Sequence, residues 1–99
     1  MTQTESAPFD PPAKFWLGRL VVTTNAEAEI DHEDIHNCVN RHLSGDWGDV
    51  CDEDSEENET ALQYGGRLFS VYHDRRGRKF WIISEADRSA TTVLLPNDY

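Results

Sequence analysis

The hydrophobic pattern changes period at Gly65-Gly66, and this change narrows the choice of fold more than any other feature of the chain. Before the two glycines, Ile35, Cys38, Val39 and Leu43 recur at spacings of three and four, the mark of a helix with one buried face. After them come three short β-rich runs, Arg67–His73 (RLFSVYH), Lys79–Ser84 (KFWIIS) and Ala90–Leu95 (ATTVLL), divided by turn residues. A further run, Leu17–Thr23 (LGRLVVT), precedes the helices. The order β-α-α-β-β-β predicts an α+β domain: helices packed on one face of a small antiparallel sheet, ending in a three-strand meander.

Local signals sharpen the boundaries. Thr24 stands three residues before Glu27, a capping-box spacing that starts a short helical turn. Asp31 or Asp34 is the N-cap of the next helix, and Gly45 ends it with positive φ. Asp52 is the expected cap of the last helix, with Glu53, Asp54, Glu56 and Glu57 in the first turns, where the helix dipole favours anions. Asp74–Gly77 (DRRG) reads as a hairpin loop with Gly77 left-handed. Lys79–Ser84 is apolar on both faces and is expected to be a central strand. The expected core is Val39, Leu43, Trp47, Leu62, Leu68, Trp81, Ile83 and Val93, with Trp47 plugging it from the link SGDWG. Residues 1–13 carry Pro8, Pro11 and Pro12 and read as a disordered or loosely docked tail, with Phe9 able to dock. Residues 14–99 form the single domain.

Charge divides the chain. The net charge is −10, and residues 25–59 hold thirteen acids against one base, Arg41, whereas residues 60–99 hold four acids against six bases. An acidic total argues against nonspecific binding to DNA or anionic membrane. No run of eighteen apolar residues is present, and the N-terminus lacks the pattern of a secretory signal. Cys38 and Cys51 are too few for a disulfide scaffold, and a reduced cytoplasmic protein is the simplest reading, with a Cys38–Cys51 bond left open.

Arg41-His42, Ser44 to Asp49, Asn58, Arg67-Leu68, Ser70, Tyr72, Trp81 to Ser89, Thr91 to Pro96 and Asp98-Tyr99 resemble a family of small bacterial proteins often encoded on plasmids and called plasmid-related. The resemblance spans roughly residues 17–99. It implies no established activity and carries over no catalytic residue.

His32-Glu33-Asp34-Ile35-His36 fits H-E-x-x-H, in which two histidines one helical turn apart hold zinc and the glutamate acts as base. His42 falls where a third ligand would stand. Val39 occupies the place of the turn glycine, and an N-cap at Asp34 would leave His32 outside the helix, so no metal and no cofactor are expected. His42 beside Arg41 is a candidate general base or a cap for the last helical carbonyls. With Arg67, Tyr72, Arg88 and Thr91 or Thr92 it gives the residue set of a small metal-independent ribonuclease of barnase or toxin-like architecture. Arg75, Arg76 and Arg78 near Phe69, Tyr72, Phe80 and Trp81 are candidates for binding a polyanion. Asp54, Glu56 and Glu57 are candidates for binding a cationic partner. The leading expectation is a non-enzymatic accessory or regulatory protein acting on a macromolecule, protein rather than nucleic acid; the ribonuclease is the alternative.

Overall fold

A computed structural model describes residues 13–99. The expected docking of Phe9, and all but the last residue of the expected tail, fall outside the described residues. The elements run β1 (Arg19–Val22), α1 (Thr24–Glu29), α2 (His32–Leu43), α3 (Asp52–Tyr64), β2 (Leu68–His73), β3 (Lys79–Ser84), β4 (Ala90–Leu94) and a closing 3₁₀ turn (Pro96–Asp98). The fold is α+β, with a four-strand sheet in the order β1-β4-β3-β2.

The meander β2-β3-β4 is antiparallel, and β3 lies inside the sheet. β1 pairs with β4 in parallel, so the sheet is mixed, not wholly antiparallel. The cause is the connection. β1 reaches β2 through the helical layer, and a crossover of that kind returns the chain to the end of the sheet from which it started. β1 therefore runs parallel to β2, and so to β4.

Strand register sorts the side chains. Leu68, Ser70, Tyr72, Phe80, Ile82, Ser84, Thr91 and Val93 share the face that meets the helices, and Ala26, Ile30, Ile35, Cys38, Val39 and Leu43 pack with Tyr72, Phe80, Ile82 and Val93. Trp47, Ala61 and Leu68 form a second cluster under α3, joined by half-buried Phe15, Val50 and Leu62. Phe69, Val71, Trp81, Ile83 and Leu94 occupy the opposite face. Of the expected core, Val39, Leu43, Trp47, Leu68, Ile83 and Val93 are buried. Leu62 and Trp81 are only half-buried: Leu62 flanks the smaller cluster, and Trp81 lies on the face away from the core helices.

Two caps shift by one position, and the third settles on one of its two candidates. Thr23, not Thr24, caps α1 by accepting from Ala26 N–H. Asp31, not Asp34, caps α2 by accepting from Glu33 N–H, which makes His32 the first residue of the helix. Cys51, not Asp52, is the N-cap of α3 and makes no side-chain bond; Asp52, Glu53 and Asp54 place charge on the first turn instead. Gly45 and Gly77 adopt positive φ as their turns require.

The link SGDWG ties α2 to the sheet. Val71 N–H donates to Trp47 C=O at 3.1 Å, and Asp49 N–H donates to Val71 C=O at 2.8 Å. Between them, Gly48 has φ +74 and approaches β2 so closely that a Cβ would lie 2.0 Å from Val71 O. Asn58 on α3 completes the seal: its amide donates to Phe69 C=O and accepts from Phe69 N–H, at 2.7 and 3.0 Å. One rim of the sheet is thus occupied by a loop and an asparagine. At the other end of the chain, the Asp98 carboxylate accepts from Thr23 Oγ1, Asn25 Nδ2 and Leu95 N–H. These bonds hold it below the usual carboxylate range, the Thr23 hydroxyl contributing most.

Candidate functional site

His42 lies on the inward face of α2 and is fully buried. Its Nδ1 is 2.6 Å from Ser70 Oγ and its Nε2 is 3.0 Å from Ser84 Oγ. Ser84 Oγ is 2.7 Å from Thr91 Oγ1, whose hydroxyl donates to Leu17 C=O at 2.7 Å. Hydroxyl stoichiometry fixes the direction of the chain. Thr91 spends its proton on Leu17, so it accepts from Ser84. Ser84 then accepts from His42 Nε2–H, and Ser70 donates to Nδ1. The result is a one-way relay through α2, β2, β3, β4 and the segment before β1. Burial pushes the His42 pKa down to about 3, with the Arg88 charge adding to it, so the imidazole stays neutral. Phe15 and Trp47 present T-shaped contacts to its ring.

The other members of the ribonuclease set do not gather around it at a surface. Tyr72 is buried and donates its hydroxyl proton to Asp46 C=O at 2.6 Å, and burial raises its pKa. Arg88 has φ +61 and aims its guanidinium at Gly66, Ala61 and Glu85 carbonyls, closing the C-terminal end of α3. Arg67 is exposed on the other side of the sheet, donating to Tyr99 Oη and pairing with Glu85. Thr92 also lies on that side. His42 caps no carbonyl, because both its nitrogens are bonded inward.

The hairpin arginines are committed to the helices. Arg75 grips Asp34 through two nitrogens at 3.0 Å and Glu33 at 2.8 Å. That grip lowers the Asp34 pKa and raises that of Arg75. Arg76 donates to Glu29 C=O, and Arg78 pairs with the Glu29 carboxylate. The β2-β3 turn is thereby clasped to the α1-α2 junction. Phe69, Trp81 and Tyr99 meet edge-on on the face away from the core helices and, with Arg67 and Ile83, line a groove of about 290 Å³.

The acids of residues 25–59 fall into two groups. Glu27, Glu29, Asp31, Glu33, Asp34, Asp46 and Asp49 each approach a histidine or an arginine, and Glu59 accepts from Trp47 Nε1 at 2.8 Å. Asp52, Glu53, Asp54, Glu56 and Glu57 have no ion pair among the described residues. All five lie on α3, and all but Asp54 are exposed. His32 and His36 share the start of α2 and are exposed, with His32 3.9 Å from Glu27. Among the described residues, no three His, Cys, Asp or Glu side chains are grouped to hold a metal ion. Cys38 is buried with its thiol pushed up to about 11 by desolvation, Cys51 is exposed, and both are free thiols. No helix is long and apolar enough to cross a membrane among the described residues.

Comparison with protein-family models, curated proteins and solved structures finds no match to the chain.

Proposed function

We propose that the chain is a non-enzymatic accessory or regulatory protein that binds a macromolecular partner, a protein rather than a nucleic acid, through the acidic face of α3. One observation carries this reading: of the acids in residues 25–59, the five without an ion pair or side-chain hydrogen bond among the described residues all lie on one helix, while the rest are bonded within the fold. Unpaired charge of one sign on a rigid helix steers an oppositely charged surface and fixes its orientation. A polyanion would be repelled there.

The residues with the chemistry to catalyse are otherwise engaged. His42 is neutral and sealed, Tyr72 is bonded to Asp46, and Arg88 caps α3. Catalysis by His42 would require exposing it, and with it the two serines that bond its nitrogens. The test is affinity capture from native cytosol, comparing the wild-type chain with the triple variant Asp54→Asn, Glu56→Gln, Glu57→Gln. A basic protein held by the wild type and lost by the variant is the expected result. Equal capture by both would remove α3 from the account. Labelled RNA incubated at low salt should stay intact; cleavage abolished by His42→Ala, with the fold retained, would replace the binder by the ribonuclease.

A further inference from the structure

The two rims of the sheet are treated differently. The β2 rim is closed by Trp47, Asp49 and Asn58. The β1 rim is open. Arg19 and Thr23 turn their amides toward β4, bonding Ser89 and Val93 carbonyls at 3.0 Å each. Alternation along a strand puts Val21 on that same side and directs the N–H and C=O of Leu20 and Val22 outward. Among the described residues nothing pairs with them. The strand reads RLVV, with Leu20 39% and Val21 36% exposed, and Trp16 just before it is 76% exposed. Natural edges are usually blunted by shortness, charged side chains, proline, a bulge or a covering element. β1 is four residues long and carries Arg19, but among the described residues it has no proline, bulge or covering element.

We propose that β1 is a strand-addition site for an extended, cationic segment of a protein partner. The backbone of Leu20 and Val22 supplies four hydrogen-bonding groups at the spacing a fifth strand requires. Carboxylates stand at both ends. Asp87 adjoins the start of β1 through Ser89, whose N–H bonds Asp87 Oδ1 and whose C=O receives Arg19 N–H. At its end, the Asp98 carboxylate accepts from the Thr23 hydroxyl, and Glu27 follows in the first turn of α1. A four-residue strand spans about 13 Å, so a partner with bases flanking some five alternating residues matches both the rim and its ends. A second copy is the poorer occupant. It would bring two chains of net charge −10 together. Two four-residue strands fall far short of the roughly 1,200 Å² of buried surface that a stable pair needs. This inference rests on the reading of the chain as a binder of a cationic protein, but uses the rim of the sheet remote from α3.

The probe is a seven-residue peptide of alternating valine and threonine with lysine at each end, titrated into the ¹⁵N-labelled full chain at low salt. At saturation the Leu20 and Val22 amides should shift and exchange roughly tenfold more slowly, while Val21, already paired, changes little. Glutamate ends should weaken the peptide at least about tenfold, and a central proline should abolish its effect. The α3 triple variant should bind the peptide as the wild type does; loss there would mean bulk attraction and overturn the site. An unresponsive Leu20 and Val22 would overturn it too. So would amides already protected in the free chain, whether by its own residues or, on light scattering, by a second copy. An unresponsive edge alongside partner capture by α3 would end this inference alone.

Discussion

His42 is neutral inside the fold and takes up its proton only when the chain opens. A folded value near 3 against an ordinary value of 6.5 means that the unfolded chain binds the proton first. The stability this contributes is complete above pH 6.5 and drains as pH falls toward 3, by about 1.4 kcal/mol per pH unit. Asp34, Asp46, Asp87 and Asp98 are held below 3.8, so their contribution is lost only at lower pH. On falling pH the His42 contribution is therefore lost before those of these four aspartates. Urea unfolding as pH falls below 6.5 should show stability falling for the wild type and a flatter profile for His42→Asn, which starts lower. Trp47→Ala should lose about 3–5 kcal/mol, since the ring is 5% exposed, stacks on Phe15 and bonds Glu59. Burial of Trp47 was readable from a large ring in a tight link. The relay was half readable: Ser70 between Leu68 and Tyr72, and Ser84 after Ile82, stand at core-facing positions where a hydroxyl needs a partner. Which helix residue met them depends on how α2 crosses the sheet, and no local pattern encodes that.

At the level of elements, the strands and helices followed from periodicity, because an amphipathic stripe or a two-sided apolar run has few alternatives. The caps followed only in part: Asp31 was one of two candidates, and Thr23 was passed over for Thr24, because such neighbours are chemically equivalent and tertiary packing selects between them. The parallel pairing of β1 was not expected for a similar reason: its residues do not say whether their neighbour runs parallel. The seal on β2 also escaped the sequence, since Gly48 and Asn58 are loop-like and helix-like residues whose role appears only beside Val71 and Phe69. Gly48→Ala places a Cβ against a backbone carbonyl and should open the bridge to Val71, with amide exchange of Val71 and Asp49 rising together. Asn58→Ala leaves the Phe69 amide and carbonyl without these partners and should cost about 1–3 kcal/mol for each group that water cannot reach, visible as a lower urea midpoint.

Over the whole molecule, the division of charge seen in the sequence resolves into two uses. The acids at the α1-α2 junction clasp the hairpin arginines, so a cluster that looked available for a polyanion is spent on the fold. Asp52, Glu53, Glu56 and Glu57 of α3 stay outward, and Asp54 beside them is half-buried without an ion pair among the described residues. The sequence carried the charge imbalance but not this partition, because pairing between residues forty positions apart is a property of the assembled sheet. We propose that these carboxylates of α3 bind a cationic protein. The most direct test is the Kd of the captured partner at two salt concentrations, for the wild type and for the triple variant Asp54→Asn, Glu56→Gln, Glu57→Gln. The wild type should bind more tightly, at least about tenfold at low salt, equivalent to about 1.4 kcal/mol, with a clear weakening as salt rises and a flatter response in the variant. Identical affinities and identical salt responses would contradict it.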